Sequence, residues 1–203
     1  MRVVVVGCEY TGVTTLIDGI YEWGNARGIH HHLDDHFTIP DGFHLSREEQ
    51  GAMLEMLPAI KERFQRFQMV YHVRLLHLFE HILMGGFHIE EMVYGPKYYY
   101  PGINIDVREY EPEMPDDTIL VHLTATADVV RTRMQSDPHT HQLVPSEDVT
   151  EILERFEEEV RHSWIKHKMK IDSSHLTPEK LVSAFLEASK PHLNTRDMLA
   201  RMT

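Results

Sequence analysis

Residues 3 to 6 are four consecutive valines, followed by Gly7-Cys8-Glu9-Tyr10-Thr11-Gly12 and then by Val13-Thr14-Thr15-Leu16-Ile17. An unbroken β-branched run near the chain start reads as a strand buried on both faces. Two glycines bracketing a short loop, with a helix opening behind them, make the strand-turn-helix in which backbone N–H groups gather around an anion. The phosphate-loop pattern G-x-x-x-x-G-K-[ST] is matched by Gly7, Gly12 and Thr14, while Val13 occupies the lysine position. A backbone cradle survives that replacement, but the ammonium that normally follows the transferring phosphoryl group does not. The rival reading is a dinucleotide-type or unrelated strand-turn-helix in which the glycines only permit a tight turn; the G-x-G-x-x-G spacing is missing.

Alternation continues downstream. Leu16, Ile17, Ile20 and Trp23 have helical spacing over residues 13 to 23, and residues 28 to 37 read as a second strand ending in Asp34 and Asp35, before a turn at 39 to 42. Ser46 with Glu49 is a capping box for a helix through 57, and Pro58 opens the next one. There Ile60, Phe64, Phe67, Val70, Tyr71, Leu75, Leu78, Phe79 and Ile82 form an apolar stripe that Gly85-Gly86 ends. Residues 87 to 94 are expected to be a third strand carrying Glu90 and Glu91 at its end, followed by an aromatic loop through Tyr100.

Residues 118 to 123 and 168 to 172 read as further strands. A helix runs on from Asp128 with Arg131 and Arg133, and a polar lid segment spans about 135 to 145. Ser146 is expected to cap an acidic helix, and Thr177-Pro178 opens the last one. The expected organisation is one α/β domain over 1–190 with a polar tail over 191–203. Strands alternating with helices imply a parallel sheet covered on both faces, with ligands beyond the strands' carboxyl ends. That rule places the glycine loop, Asp34, Asp35, Glu90, Glu91 and the loop after Asp172 on one rim.

Charge and cysteine content narrow the function classes. With 20 basic and 32 acidic residues the net charge is −12, which disfavours nucleic acid and anionic membrane as partners. Cys8 is the only cysteine, so no internal disulfide forms and a reducing cytoplasm is expected. It reads as a small loop residue, with a thiolate at the helix start as the alternative. No apolar stretch reaches the ~18 residues of a membrane span, and the chain begins with a strand where a leader would be charged and then apolar.

With these elements placed, the chain resembles the nucleoside and nucleotide kinase group of P-loop proteins, thymidylate kinase-like members above all. The likeness is carried by Gly7 to Thr15, by the acidic pair Glu90-Glu91, by Ile119 to Arg133, and by Ile152 to Val182 with its Ile171-Asp-Ser-Ser-His-Leu-Thr-Pro-Glu179 run. It implies a three-layer sandwich around a five-stranded parallel sheet, ATP with Mg²⁺, and phosphoryl transfer to a small acceptor, most naturally a nucleoside or nucleotide. On this resemblance Gly7, Cys8, Glu9, Tyr10, Thr11, Gly12, Val13, Thr14 and Thr15 hold phosphate, with Thr14 as a Mg²⁺ ligand. Arg131 and Arg133 enter the lid where related kinases bring arginines over the phosphates. Glu90 or Glu91, and Asp34 or Asp35, are candidates for general base or for holding metal-bound water, Asp35 and Glu90 being the metal choices; helix capping is the alternative use.

Two departures stand out. Val13 replaces the lysine, and Glu91 stands where an arginine commonly clamps the acceptor phosphate, which leaves Arg74, Lys97 and Arg108 as candidate replacements. Lys166, Lys168 and Lys170 read as surface charges. Two further readings of the function remain: a catalytically silent nucleotide-binding module, and a metal-dependent hydrolase built on His30, His31, His32, His36, His139 and His141 among sixteen histidines. The aromatic loop 94 to 100 would wall a base pocket, anchor itself on the core, or form a homodimer contact.

Overall fold

The computed structural model describes residues 1–35, 39–40, 44–139 and 141–202. Five strands, β1 (Arg2–Val6), β2 (His32–Asp35), β3 (Ile82–Gly85), β4 (Thr118–Thr124) and β5 (His167–Asp172), form one sheet in the order β2-β3-β1-β4-β5. Every pairing is parallel, with Val4 beside both Met84 and Leu120. Helices cover both faces. On one side Val4, Val6, Met84 and Leu120 pack with α3 (Pro58–Leu78), α4 (His88–Tyr94) and α6 (Val149–His162). On the other, Val3, Val5, Leu83 and Val121 meet α1 (Val13–Asn25) and α7 (Pro178–Ser189). The four valines feed two cores by alternation, which is why the strand that centres the sheet carries no polar residue inside its run. Among the described residues no helix is long and apolar enough to cross a membrane.

Local signals set several boundaries. Helix α2 (Arg47–Leu54) starts at Ser46, whose side chain accepts from the Glu49 N–H while the Glu49 carboxylate accepts from the Ser46 N–H. Pro58 opens α3 and Thr177 caps α7 through the Lys180 N–H. Helix α5 (Ala127–Ser136) follows β4. Within the described part of the expected strand 28 to 37, residues 32 to 35 are strand, reached through a turn at Gly28, whose φ is 71°; 36 and 37 lie outside the described residues. His36 and part of the expected 39–42 turn lie outside the described residues.

Three expectations are corrected. The long apolar run ending at Gly85 is not one helix: α3 stops at Leu78, and Ile82–Gly85 is β3. Consequently residues 88 to 94 form helix α4, not a strand, and Glu90 and Glu91 lie in its first turn, where carboxylates suit the positive helix end. A run apolar at every position hides the switch in period, because helix and strand both bury it. Helix α6 begins at Val149 after Asp148, so Ser146 is not its cap.

Most of the stripe on α3 faces outward, with Leu75 turned inward, and the buried side of the helix is largely polar, with Lys61, Glu62, Gln65, Gln68 and His72 beside Met69, Val73, Leu75 and Leu76. Lys61 Nζ donates to the Leu54 carbonyl at 2.7 Å and so closes the end of α2, while the His72 ring meets Asp34 at 3.2 Å. In the segment read as a tail, α8 (Thr195–Met202) docks through buried Asp197, which lies 2.6 Å from the Met1 ammonium.

Candidate functional site

The glycine loop lies between β1 and α1. A Cβ on Gly7 would stand 2.3 Å from the Leu123 carbonyl oxygen at the end of β4, so only glycine fits there. Gly12 has φ of 97°, in the left-handed region, and supplies no side-chain cap. The first N–H groups of α1, from Val13, Thr14 and Thr15, have no acceptor within their own helix, and these residues face the cavity. The Thr14 and Thr15 side chains are exposed.

Neighbouring elements hold this loop from several directions. The Glu9 N–H donates to the Tyr94 hydroxyl on α4 at 3.0 Å, and the Thr11 hydroxyl donates to the Cys8 carbonyl at 2.7 Å. Ser173, after β5, donates to the Thr11 carbonyl at 2.7 Å. Arg133 on α5 donates to the Tyr10 carbonyl at 2.8 Å, to Ser173 Oγ at 3.2 Å and to the Ser173 carbonyl at 2.9 Å. From above, the Glu9 carboxylate accepts from the Leu143 N–H at 3.0 Å and the Val144 N–H at 2.8 Å, and Tyr10 stacks on His139 with centroids 4.1 Å apart. The lid segment is thus fastened to the loop's two middle residues.

Beyond the strand ends lies a cavity of about 1290 Å³, more than one drug-sized ligand usually occupies. All nine residues from Gly7 to Thr15 line it. Opposite them are Asp35 from β2, Glu90, Tyr94 and Tyr99 from α4 and the wide helical turn after it, and Arg47, Gln50 and Leu54 from α2. His139 and His141 close the lid side, and Ser173 and Leu176 the far end.

Of the four acidic candidates, two face this space. Asp34 and Asp35 alternate along β2, so Asp35 faces the cavity while Asp34 turns to His72. Glu91 is fully buried and accepts a hydrogen bond from the Tyr100 hydroxyl. Glu90 points into the cavity. Desolvation, reinforced by Asp35, Glu9 and Glu91, pushes its carboxyl well above the usual range. Burial also raises Glu9, against the two lid N–H groups that lower it. The Cys8 thiol is pushed up to about 12 by burial and by Glu9, so the thiolate alternative is set aside. Gly85 ends β3 and Gly86 follows it, so no side chain stands at that strand end, and Asp35 Oδ1 lies where a Cβ on Gly85 would meet it at 2.9 Å.

Positive charge is scarce here. Arg131 is spent on the Ser146 carbonyl at 3.0 Å and the Thr150 hydroxyl at 2.9 Å, away from the cavity. Lys97 pairs with Glu151 at 2.6 Å, Arg108 with Glu159 at 3.1 Å, and Arg74 lies exposed on α3; none of the three lines the cavity. Lys168 donates to the Ser163 carbonyl at 2.8 Å, unlike the exposed Lys166 and Lys170, which pair with Asp116 and Glu157. Arg47 is the cation that sequence reasoning missed. It lines the cavity and has no ion-pair partner among the described residues, and its one signal in the sequence is that it is the sole basic residue of α2.

The histidines scatter. His32 stacks on Phe79 at 3.8 Å, His31 meets His81 edge-on at 5.9 Å, and His141 reaches Gln50 at 2.9 Å. Among the described residues no group of three or more His, Cys, Asp or Glu side chains is placed to hold a metal ion. In the aromatic loop Tyr94, Tyr99 and Tyr100 are buried, and Tyr94 and Tyr99 also wall the cavity.

The parallel five-stranded sheet, with a glycine loop at its central strand and a large cleft at the strand ends, is a fold shared with nucleoside kinases of known structure. The chain is similar in structure to the Bacillus subtilis YorR protein, solved with phosphorylated GDP, with TM-score 0.61 and 13% identity over 95% of this chain and 99% of that one. It is also similar to deoxyadenosine kinase from M. mycoides with bound dATP, with TM-score 0.60 and 14% identity over 92% and 98%. The same kinase with dCTP gives TM-score 0.59 and 14% identity over 92% and 97%. No known family profile matches the sequence, and no curated protein matches it.

Proposed function

We propose that the chain binds a nucleoside triphosphate at the glycine loop and a nucleoside or nucleotide in the rest of the cavity, and transfers the terminal phosphoryl group between them. The observation that carries this reading is the uncapped start of α1 behind Gly12, opening into a cavity wide enough for two ligands and containing Asp35 and Glu90. The acceptor oxygen, a hydroxyl of a nucleoside or a phosphate oxygen of a nucleotide, forms the new bond to phosphorus as the bond to the nucleoside diphosphate breaks; where the acceptor is a hydroxyl, its proton passes to a carboxylate. Glu90 suits that task in its ionised form, because burial makes its carboxylate a stronger base than an exposed one. Thr14, Asp35 and Glu90 offer the hard oxygen donors that fit Mg²⁺, which would supply the charge neutralisation that this acidic cavity lacks. Arg47 is the cation left to meet an acceptor phosphate, and Tyr94 and Tyr99 offer faces to a base.

A second reading has its own support. Arg133 spends its guanidinium on loop carbonyls and Val13 brings no charge, which favours a module that binds nucleotide without turnover. A thermal shift with ATP and Mg²⁺, followed by product analysis over a panel of nucleosides and monophosphates, separates the two. Turnover supports the kinase, stabilisation with no product across the panel supports the silent module, and no stabilisation defeats both.

A further inference from the structure

The loop side of the cavity has the backbone for an anion but little fixed positive charge. Val13 carries none, and the Arg133 guanidinium is committed to the carbonyls of Tyr10 and Ser173. Asp35 and Glu90 on the opposite wall, and Glu9 on the loop itself, oppose a polyanion. Residues 135 to 146, the segment that closes over the loop, contain no lysine or arginine. Their only side chains able to take a positive charge are His139 and His141.

Both histidines line the cavity together with the loop, and each is held from outside the lid. The His139 ring stacks on Tyr10 with centroids 4.1 Å apart and planes at 18°, and its backbone N–H donates to the Tyr10 hydroxyl at 2.8 Å. Tyr10 has φ of 65°, a left-handed conformation that glycine adopts freely and a bulky residue resists. The loop thus carries a phenol at a position suited to glycine, and that phenol fixes the His139 ring above it. Glu9 Oε1 lies 3.9 Å from His139 Nδ1, too far for a hydrogen bond, and neither nitrogen of the ring has a hydrogen-bond partner among the described residues. His141 Nε2 lies 2.9 Å from Gln50 Oε1 on α2. The Gln50 amide nitrogen donates to the Leu45 carbonyl at 2.7 Å, so its oxygen is the acceptor and His141 Nε2 the donor, with Nδ1 left to take a second proton. Arg133 and Asp137 at the end of α5, and Arg47 on α2, are the other charged groups on this side of the cavity.

We infer that His139 and His141 meet the outer phosphates of the bound triphosphate, and that binding draws a proton from solvent onto this pair. The inference rests on the loop being the triphosphate site. The proton bonds to the lone pair of an imidazole nitrogen, the water or buffer that released it keeps the electrons, and no other bond changes. Anionic oxygens within ~4 to 6 Å favour the charged form of a histidine, and an imidazolium N–H on a phosphate oxygen is a charge-assisted hydrogen bond. A permanent cation would hold the donor equally at any pH. Two histidines instead make the grip deepen as the pH falls through the range in which imidazoles titrate. One proton taken up per triphosphate corresponds to as much as about tenfold in affinity per pH unit.

Calorimetric titration of the whole chain with ATP and Mg²⁺, at about pH 6 and pH 8, gives the affinity, and buffers of different ionisation heat give the proton count. His139→Gln combined with His141→Gln should bind about tenfold more weakly than wild type at the lower pH and within about twofold at the higher. Its far-UV spectrum should be unchanged, because both side chains are exposed. It should also take up roughly one proton fewer per ATP near pH 7. Inorganic tripolyphosphate, which lacks the base, should give the same ratios. H139K/H141K should restore tight binding at the higher pH, a rescue that a purely structural role for the rings would not allow. Equal affinity of wild type and the double glutamine variant at the lower pH would overturn the inference and leave the triphosphate reading standing. So would an unchanged proton count, which places the proton on Glu9 or Glu90. No binding of either ligand by the wild-type chain would overturn both.

Discussion

Arg133→Ala distinguishes a clamp from a catalytic arginine. The guanidinium donates to two carbonyls and one hydroxyl, all between 2.8 and 3.2 Å, and joins the glycine loop to the segment after β5. Hydrogen bonds from a charged donor contribute ~1.5 to 3 kcal/mol each. Arg133 is only half-buried, and water would reach the abandoned carbonyls, so a net loss of ~2 to 4 kcal/mol is the reasonable total. For a chain of this size each kcal/mol moves the midpoint by ~2 to 4 °C, so the variant should melt about 5 to 15 °C lower without any ligand. Differential scanning calorimetry on the free protein measures this directly. Arg133→Lys should recover less than half the loss, since a single ammonium cannot span both carbonyls at once. A midpoint unchanged within a degree, together with lost phosphoryl transfer, would refute the clamp and return the arginine to the phosphates.

Three other outcomes follow from the cavity and the core. Val13→Lys should tighten triphosphate binding by ~10- to 100-fold, the value of one charge-assisted contact; equal affinity by calorimetric titration would count against the cradle. Glu90 holds its proton more firmly folded than unfolded, so its ionisation costs stability progressively above the unfolded carboxylate value of ~4.3. Glu90→Gln should therefore raise the midpoint at pH 8, lose that advantage below about pH 4, and abolish turnover; a gain that persists in acid would disprove the assignment. His122, buried within β4, has its pKa lowered to about 4 by desolvation. Its neutral form stabilises the fold above ~6.5, and this contribution is lost as the pH falls toward 4; an imidazole NMR titration with a midpoint near 6.5 would contradict it.

Much of the frame was legible because adjacent signals agreed. Four valines, two glycines and a threonine-led helix start mark β1, its loop and α1 together, while Ser46 with Glu49 and Thr177 with Pro178 mark helix starts by known hydrogen bonds. The stretch from Leu75 to Gly85 was not legible, since an apolar run obeys either period. Nor could periodicity say which side of α3 faces the core: it finds an apolar stripe, and only the sheet packing against Met69 and Leu76 decides which side is inside. The site divided in the same way. The loop residues all reached the cavity, but choosing between Asp34 and Asp35 needed the strand's phase, and choosing between Glu90 and Glu91 needed a helix where a strand was expected.

Glu90 and Tyr94 stand one helical turn apart on α4, and the Tyr94 hydroxyl is the acceptor for the Glu9 N–H. The loop that would grip a donor and the carboxyl that would serve an acceptor are therefore mounted on a single strut. If the loop shifts when a donor binds, that hydrogen bond would pull on the helix that carries the carboxyl, and the two halves of the cleft would be coupled through one phenol.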